Sequence, residues 1–221
     1  MTGSGSFSGV GNMENGRIDG VISFPGGVYG NLDINGVATA EGPLEAAQMD
    51  VSGVFNARSD VSCHEIKATG VATIDGNLRA ECIDVDGVIT VHGNKVEASR
   101  IVCDGILSTD GQVSADTIDA NGFINASEIV GDHISIQSYT GTFFFKMWVK
   151  LKEAVGSRDY SKVDLIEATT VNLRGVHASV VSGHDVTIGP ACVIDKVDAS
   201  GQLYIDRGAQ VTVVVNQTSN Q

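Results

Sequence analysis

Apolar and polar residues alternate along most of this chain, and glycine punctuates the alternation at nearly constant intervals. Gly20, Gly36, Gly53, Gly70, Gly87, Gly105 and Gly122 follow one another at spacings of 16, 17, 17, 17, 18 and 17. Four residues before the last six of these stand Leu32, Met49, Ile66, Ile83, Ile101 and Ile118. Two before stand Ile34, Val51, Ala68, Val85, Cys103 and Ala120, and one after stand Val37, Val54, Val71, Val88, Ile106 and Phe123. All eighteen are apolar in a chain that is 42% hydrophobic, which chance does not produce. Directly before each glycine comes a turn former: Asn35, Ser52, Thr69, Asp86, Asp104 or Asn121.

Period-two alternation marks a strand with one buried face. The Asn-Gly, Asp-Gly and Ser-Gly pairs mark tight corners where glycine supplies a positive φ. A single strand-corner-strand rung has nothing to pack its apolar face against. Stacking the next rung about 4.8 Å away pairs the backbone and continues the core. The pattern therefore predicts an all-β fold, a single-stranded parallel β-helix of about ten rungs of about 17 residues, roughly 45–50 Å long at that spacing. Helical solenoids of the ankyrin or TPR type need units of about 33 residues with a 3.6-residue period, and neither occurs here. The six-residue step of left-handed acyltransferase helices is hinted at only in Ile188-Gly-Pro-Ala-Cys-Val-Ile194.

The register implies an organisation along the chain. Residues 1–16 are Gly/Ser-rich and read as a flexible segment, and 17–138 as solenoid rungs. The register fails over 139–162, resumes over 163–215, and gives way to a polar tail at 216–221. The interruption, expected to be a short helix or irregular, differs chemically from the rest. It holds Phe143, Phe144, Phe145 and the only tryptophan, Trp148, and residues 141–162 carry five Lys/Arg against two acids. Read as a helix, Phe144, Trp148, Leu151 and Val155 share one face. That stripe either covers apolar surface of the rod itself or forms a patch for an anionic membrane or a partner.

Composition narrows the function classes. Aromatics are 5% of the chain and prolines number three, against 27 glycines, which suits thin repeated layers better than a globular core. A net charge of −13 disfavours nucleic acid as a partner. The first residues lack the basic and apolar regions of a signal peptide, and no apolar stretch is long enough for a spanning helix. Cys63, Cys82, Cys103 and Cys192 have no CxxC spacing, so a reducing cytoplasmic setting is expected.

No catalytic, cofactor or metal site is expected. Asp33, Asp50, Asp84 and Asp119 share the slot three before the glycine, but a flat ladder does not converge on a calcium ion. His64, His92, His133, His177 and His184 occupy different repeat positions and show no zinc spacing. His184 and Asp185 are adjacent but have no nucleophile at a recognisable elbow. A phosphate loop is absent.

The opening Gly3-Ser-Gly-Ser6, the x-Gly-Val/Ile rungs, and the blocks Lys162-Val-Asp-Leu-Ile-Glu-Ala-Thr-Thr-Val-Asn-Leu-Arg-Gly-Val176 and Val186-Thr-Ile-Gly-Pro-Ala-Cys-Val-Ile-Asp195 resemble the bactofilins, polymer-forming bacterial cytoskeletal proteins. The resemblance is to the Gram-positive type and covers nearly the whole chain. It implies a right-handed β-helix that polymerises through its end rungs without nucleotide, as a scaffold for cell shape, motility or wall enzymes. The implied location is cytoplasmic or peripheral to the inner membrane, with wall or motility proteins as further partners. Residues Met1 to Ser8 depart from the hydrophobic-basic N-terminal peptide of membrane-binding members. Any membrane contact would then fall to 143–155.

Polymerisation also follows from the fold, because a parallel solenoid ends in unpaired backbone and open core. The expected interface is Ile18, Val21, Ile22 and Phe24 at one end and Val211, Val213, Val214 and Val215 at the other, the latter run being β-branched and uncharged. Lysine at Val213 and Val215 is expected to give monomers. The rival readings are a β-helical sugar-active enzyme or acyltransferase, and a membrane-associated adaptor acting through 143–155.

Overall fold

The computed structural model describes residues 13–138 and 161–216. It is a parallel β-solenoid of about 11 turns, and among the described residues it contains strands and no helix. In the lower turns a four-residue strand alternates with a longer one. Val37–Ala40 (β4), Val54–Ala57 (β6) and Val71–Ile74 (β8) stack as one sheet, and Gly27–Ile34 (β3), Leu44–Val51 (β5) and Val61–Ala68 (β7) stack as the other.

Parallel stacking turns the repeat into columns. One runs Ile18, Ile34, Val51, Ala68, Val85, Cys103, Ala120, Ile136, Leu173, Ile188, Ile205, each residue paired to the next. Its members from Ile34 to Ile188 are at most 1% exposed. A second runs from Leu44 through Val61, Leu78, Val96, Val113, Ile129, Ile166, Val181 and Val197 to Val214. Small residues form a third: Ala98, Ala115, Gly131, Ala168, Gly183 and Ala199 line the bend inside the long strands, and a Cβ at Gly131 or Gly183 would meet the carbonyl oxygen of the alanine one turn below. The core is thus a set of aliphatic stacks rather than a cluster of large rings.

The corner glycines work differently from the sequence expectation. Among described glycines, positive φ occurs at Gly26, Gly27 and Gly175, and not at the periodic corners. A Cβ on Gly36, Gly53, Gly70, Gly87, Gly105 or Gly122 would instead collide with the carbonyl oxygen of the corner glycine one turn below. That oxygen accepts a hydrogen bond from the residue just after the glycine above, as in Val71 N–H to Gly53 O at 2.9 Å. Close backbone approach demands glycine there. The polar residues before the glycines also stack, with Thr69 to Ser52 at 3.3 Å and Asn121 to Asp104 at 3.1 Å.

A second difference concerns the residues just after those glycines. They are apolar but face outward: Val21 is 68% exposed, and Val37 and Val54 are each 37% exposed. The core positions are one residue further on: Ala38, Phe55, Ala72, Ile89, Leu107 and Ile124, all fully buried. Val21, Val37, Val54, Val71, Val88, Ile106 and Phe123 therefore stack as a ridge on the outer side of the short-strand sheet, exposed from Val21 to Val54, half-buried at Val71, Val88 and Phe123, and buried at Ile106 (8%).

Boundaries shift slightly from those expected. The first strand, Met13–Ile18 (β1), begins inside the segment read as flexible, and Ser161–Arg174 (β16) takes in two residues assigned to the interruption. Above the interruption the pairing offset falls to 15, as in Val163 with Ala178. Leu173 to Val176 covers in three steps what Ile34 to Ala38 covers in four, and Gly175 takes φ +64° to turn that shorter corner.

Candidate assembly interface

The two ends of the rod are not alike. At the amino end, Ile18 and Phe24 are buried at 6% and 4% exposure, and Ile22 packs partly buried against the core. Phe24 meets Tyr29 edge to face with ring centroids 5.9 Å apart, and both rings are buried near that end, Phe24 below Ala40 and Tyr29 in the turn above Met13. Val21 lies on the terminal strand but points to the outer side of the sheet. It starts the outer ridge.

At the carboxyl end the last strand, Gln210–Asn216 (β20), pairs with Val193–Ala199 (β18) and, among the described residues, with no other strand. Val211 lies above buried Ile194, and Val214 above buried Val197. Val214 is 49% exposed, although every member of its column from Leu44 to Val197 is at most 2% exposed. Its environment is that of a core residue with one neighbour missing. Val213 and Val215 lie above Lys196 and Asp198, on the outward side. Lysine there would sit with other polar residues, so Val214 is the position whose substitution disturbs the open core.

Two serines flank the interruption and meet each other. Ser138 and Ser161 are buried, with their hydroxyl oxygens 2.8 Å apart. Ser138 donates to the Gly122 carbonyl at 3.3 Å, and Ser161 accepts from the Ile124 amide at 3.0 Å. These polar side chains replace the apolar layer at the point where the chain exits, and the pairing of Ile136 with Leu173 continues the core directly above. Phe143, Phe144, Phe145, Trp148, Leu151 and Val155 lie outside the described residues.

Reactive groups stay scattered. Asp33, Asp50 and Asp84 lie on one outward column with Lys67 between them, and Lys67 reaches Asp84 at 3.2 Å and Asp86 at 3.9 Å. The hydrogen bond to Asp84, then the charges of Asp84 and Asp86, raise the Lys67 pKa. The column is thus partly neutralised along its length. His64 contacts Glu81 at 2.9 Å on the surface. The turn above His184 brings Ser200 to it, with Oγ 3.1 Å from Nδ1, a neighbour that the primary sequence hides because it lies sixteen positions further on. Asp185 is occupied by the Gln202 amide at 2.9 Å rather than by His184. Among the described residues no group of three or more His, Cys, Asp or Glu is arranged to hold a metal.

Cys63, Cys103 and Cys192 are buried, Cys82 is half-buried, and all four are free thiols. Burial pushes Cys63 and Cys103 up to about 12 and raises Cys192, which keeps these thiols protonated and unreactive. Among the described residues no helix is long and apolar enough to cross a membrane. Comparison with family models, curated proteins and solved structures finds no match for this chain.

Proposed function

We propose that this protein is a structural subunit that assembles end to end into filaments without nucleotide and serves as a scaffold. The observation that carries this reading is Val214, half exposed at the top of a column whose other members are buried. A solenoid end is a template for one more turn, since its free strand edge and its core cross-section both lack a partner. A second copy supplies both. The lopsided ends favour this over closed pairing of one face with itself, and a head-to-tail contact that does not close propagates as a fibre. The resemblance of the rungs to bactofilins supports the same reading.

Val214→Lys tests it. The substitution places an ammonium over the core column, where burial at a junction is strongly disfavoured. Sedimentation velocity and negative-stain microscopy without nucleotide should show wild-type filaments and Val214→Lys monomers of unchanged circular dichroism. Val213→Lys, pointing outward beside Lys196, should polymerise better than Val214→Lys. Wild-type protein that stays monomeric at high concentration would reject the proposal.

A further inference from the structure

The outer ridge and the column beside it form a sheet face without charge in a molecule of net charge −13. Beside the apolar positions from Val21 to Phe123 run Ser23, Thr39, Asn56, Thr73, Thr90, Ser108 and Asn125, again one per turn. No Lys, Arg, Asp or Glu occurs on this face over seven turns, whereas the neighbouring outward column holds Arg17, Asp33, Asp50, Lys67 and Asp84. Carboxylates border the face on both sides. Asp19, Asp86 and Asp104 stand at one corner, and Glu41, Asp75 and Asp110 with Arg58 at the other, all exposed; Asp19, Asp75 and Asp86 already face Arg17, Arg58 and Lys67, which leaves Glu41, Asp104 and Asp110 for an occupant's basic groups. Such a surface fits an occupant that is apolar in the middle and basic at its margins.

The chain contains one segment of that chemistry, and the structure shows where it is tethered. Ser138 holds the carbonyl of Gly122 and Ser161 holds the amide of Ile124, so the two ends of 139–160 grip the backbone on either side of Phe123. Phe123 is the last described residue of the ridge. The ridge spans six turn spacings, about 29 Å. A segment of 22 residues running out and back can reach at most about 36 Å at about 3.3 Å per residue, enough to cover it. Its Phe143-Phe-Phe-Lys-Met-Trp-Val-Lys-Leu-Lys152 run supplies the apolar groups and three lysines for the bordering carboxylates.

We infer that residues 143–152 of this chain are the occupant of its own valine–threonine face. The face is then an intramolecular docking surface, and the aromatic segment is held along the rod whether or not rods polymerise.

Trp148, the single tryptophan, reports on this directly. In the intact protein its emission should be that of a shielded indole, resistant to acrylamide and unchanged on dilution. Val54→Lys/Val71→Lys, which places two ammonium groups on the face, should move the emission to that of the denatured chain and raise quenching to match. Circular dichroism should stay unaltered, and Thr117→Lys on the other sheet should behave as wild type. Solvent-exposed emission in the wild type, or identical emission in the double variant, would overturn the inference. Shielding that fades on dilution would assign the segment to a second copy, and shielding that appears only with anionic vesicles would assign it to a lipid surface. Either result also overturns it.

Discussion

A methyl group on Gly70 would fall on the carbonyl oxygen of Gly53, and that oxygen already receives the Val71 amide. Relief requires parting two turns, which breaks hydrogen bonds and opens the core on both sides. Gly70→Ala should cost about 1–3 kcal/mol or more, the usual range for overpacking, and lower the melting temperature, whereas Thr73→Ala on the outer face should be nearly silent. The buried thiols make a second prediction at this scale. Cys63 and Cys103 titrate near 12 in the fold against 9.0 for a free thiol. The unfolded chain therefore releases these protons first as pH rises. Their contribution to stability is complete below pH 9 and lost progressively between about 9 and 12. Urea titrations should show declining stability across that window, and Cys103→Ala should reduce the decline. An equal slope in the variant would remove the thiol as its cause.

At the scale of the strand, the sequence carried the repeat, its period and the place of its interruption, because one buried face per strand leaves a period-two record. It also carried a signal left unread. Leu32, Ile34, Gly36, Ala38 and Ala40 keep a single parity through the corner, so Ala38 belongs to the core and Val37 to the outside. Apolar residues at both positions disguised this, since Val37 stands on an uncharged outer face. The last strand was harder to read. Ile194 and Val197 are both buried with Asp195 and Lys196 between them, so the bend resets parity and places Val214, rather than Val213 and Val215, over the core. Alternation within Val-Thr-Val-Val-Val cannot reveal a bend inherited from the turn below. The Ser138–Ser161 clasp left no sequence signal, because its members are brought together only by closure of the turn. It leads to a prediction of its own. Replacing 139–160 by a short Gly-Ser linker should leave the β-sheet circular dichroism and cooperative melting in place. Ser161→Ala should cost about 1–3 kcal/mol, because the Ile124 amide then loses its acceptor.

The whole molecule is a stack in which each turn buries its neighbour, and the ends differ in how they finish. Buried Phe24 and Tyr29 lie near the amino end, while at the carboxyl end the aliphatic columns reach Val211, Val214 and Ile205 on strands that pair, among the described residues, only with the turn below. The side faces differ as well. One is a charged ladder and the other an uncharged valine–threonine surface with the tether of the aromatic segment at its head. On the proposed reading, with an open top and an occupied flank, such a rod grows along its axis more readily than it bundles sideways. Growth along the axis makes the strand spacing of one subunit continuous with that of the next. The most direct measurement is therefore the power spectrum of wild-type filaments imaged by electron cryo-microscopy. A reflection near 4.8 Å along the filament axis, uninterrupted at subunit junctions, is the predicted result. That spacing lying across the axis, or preparations of separate rods alone, would contradict it.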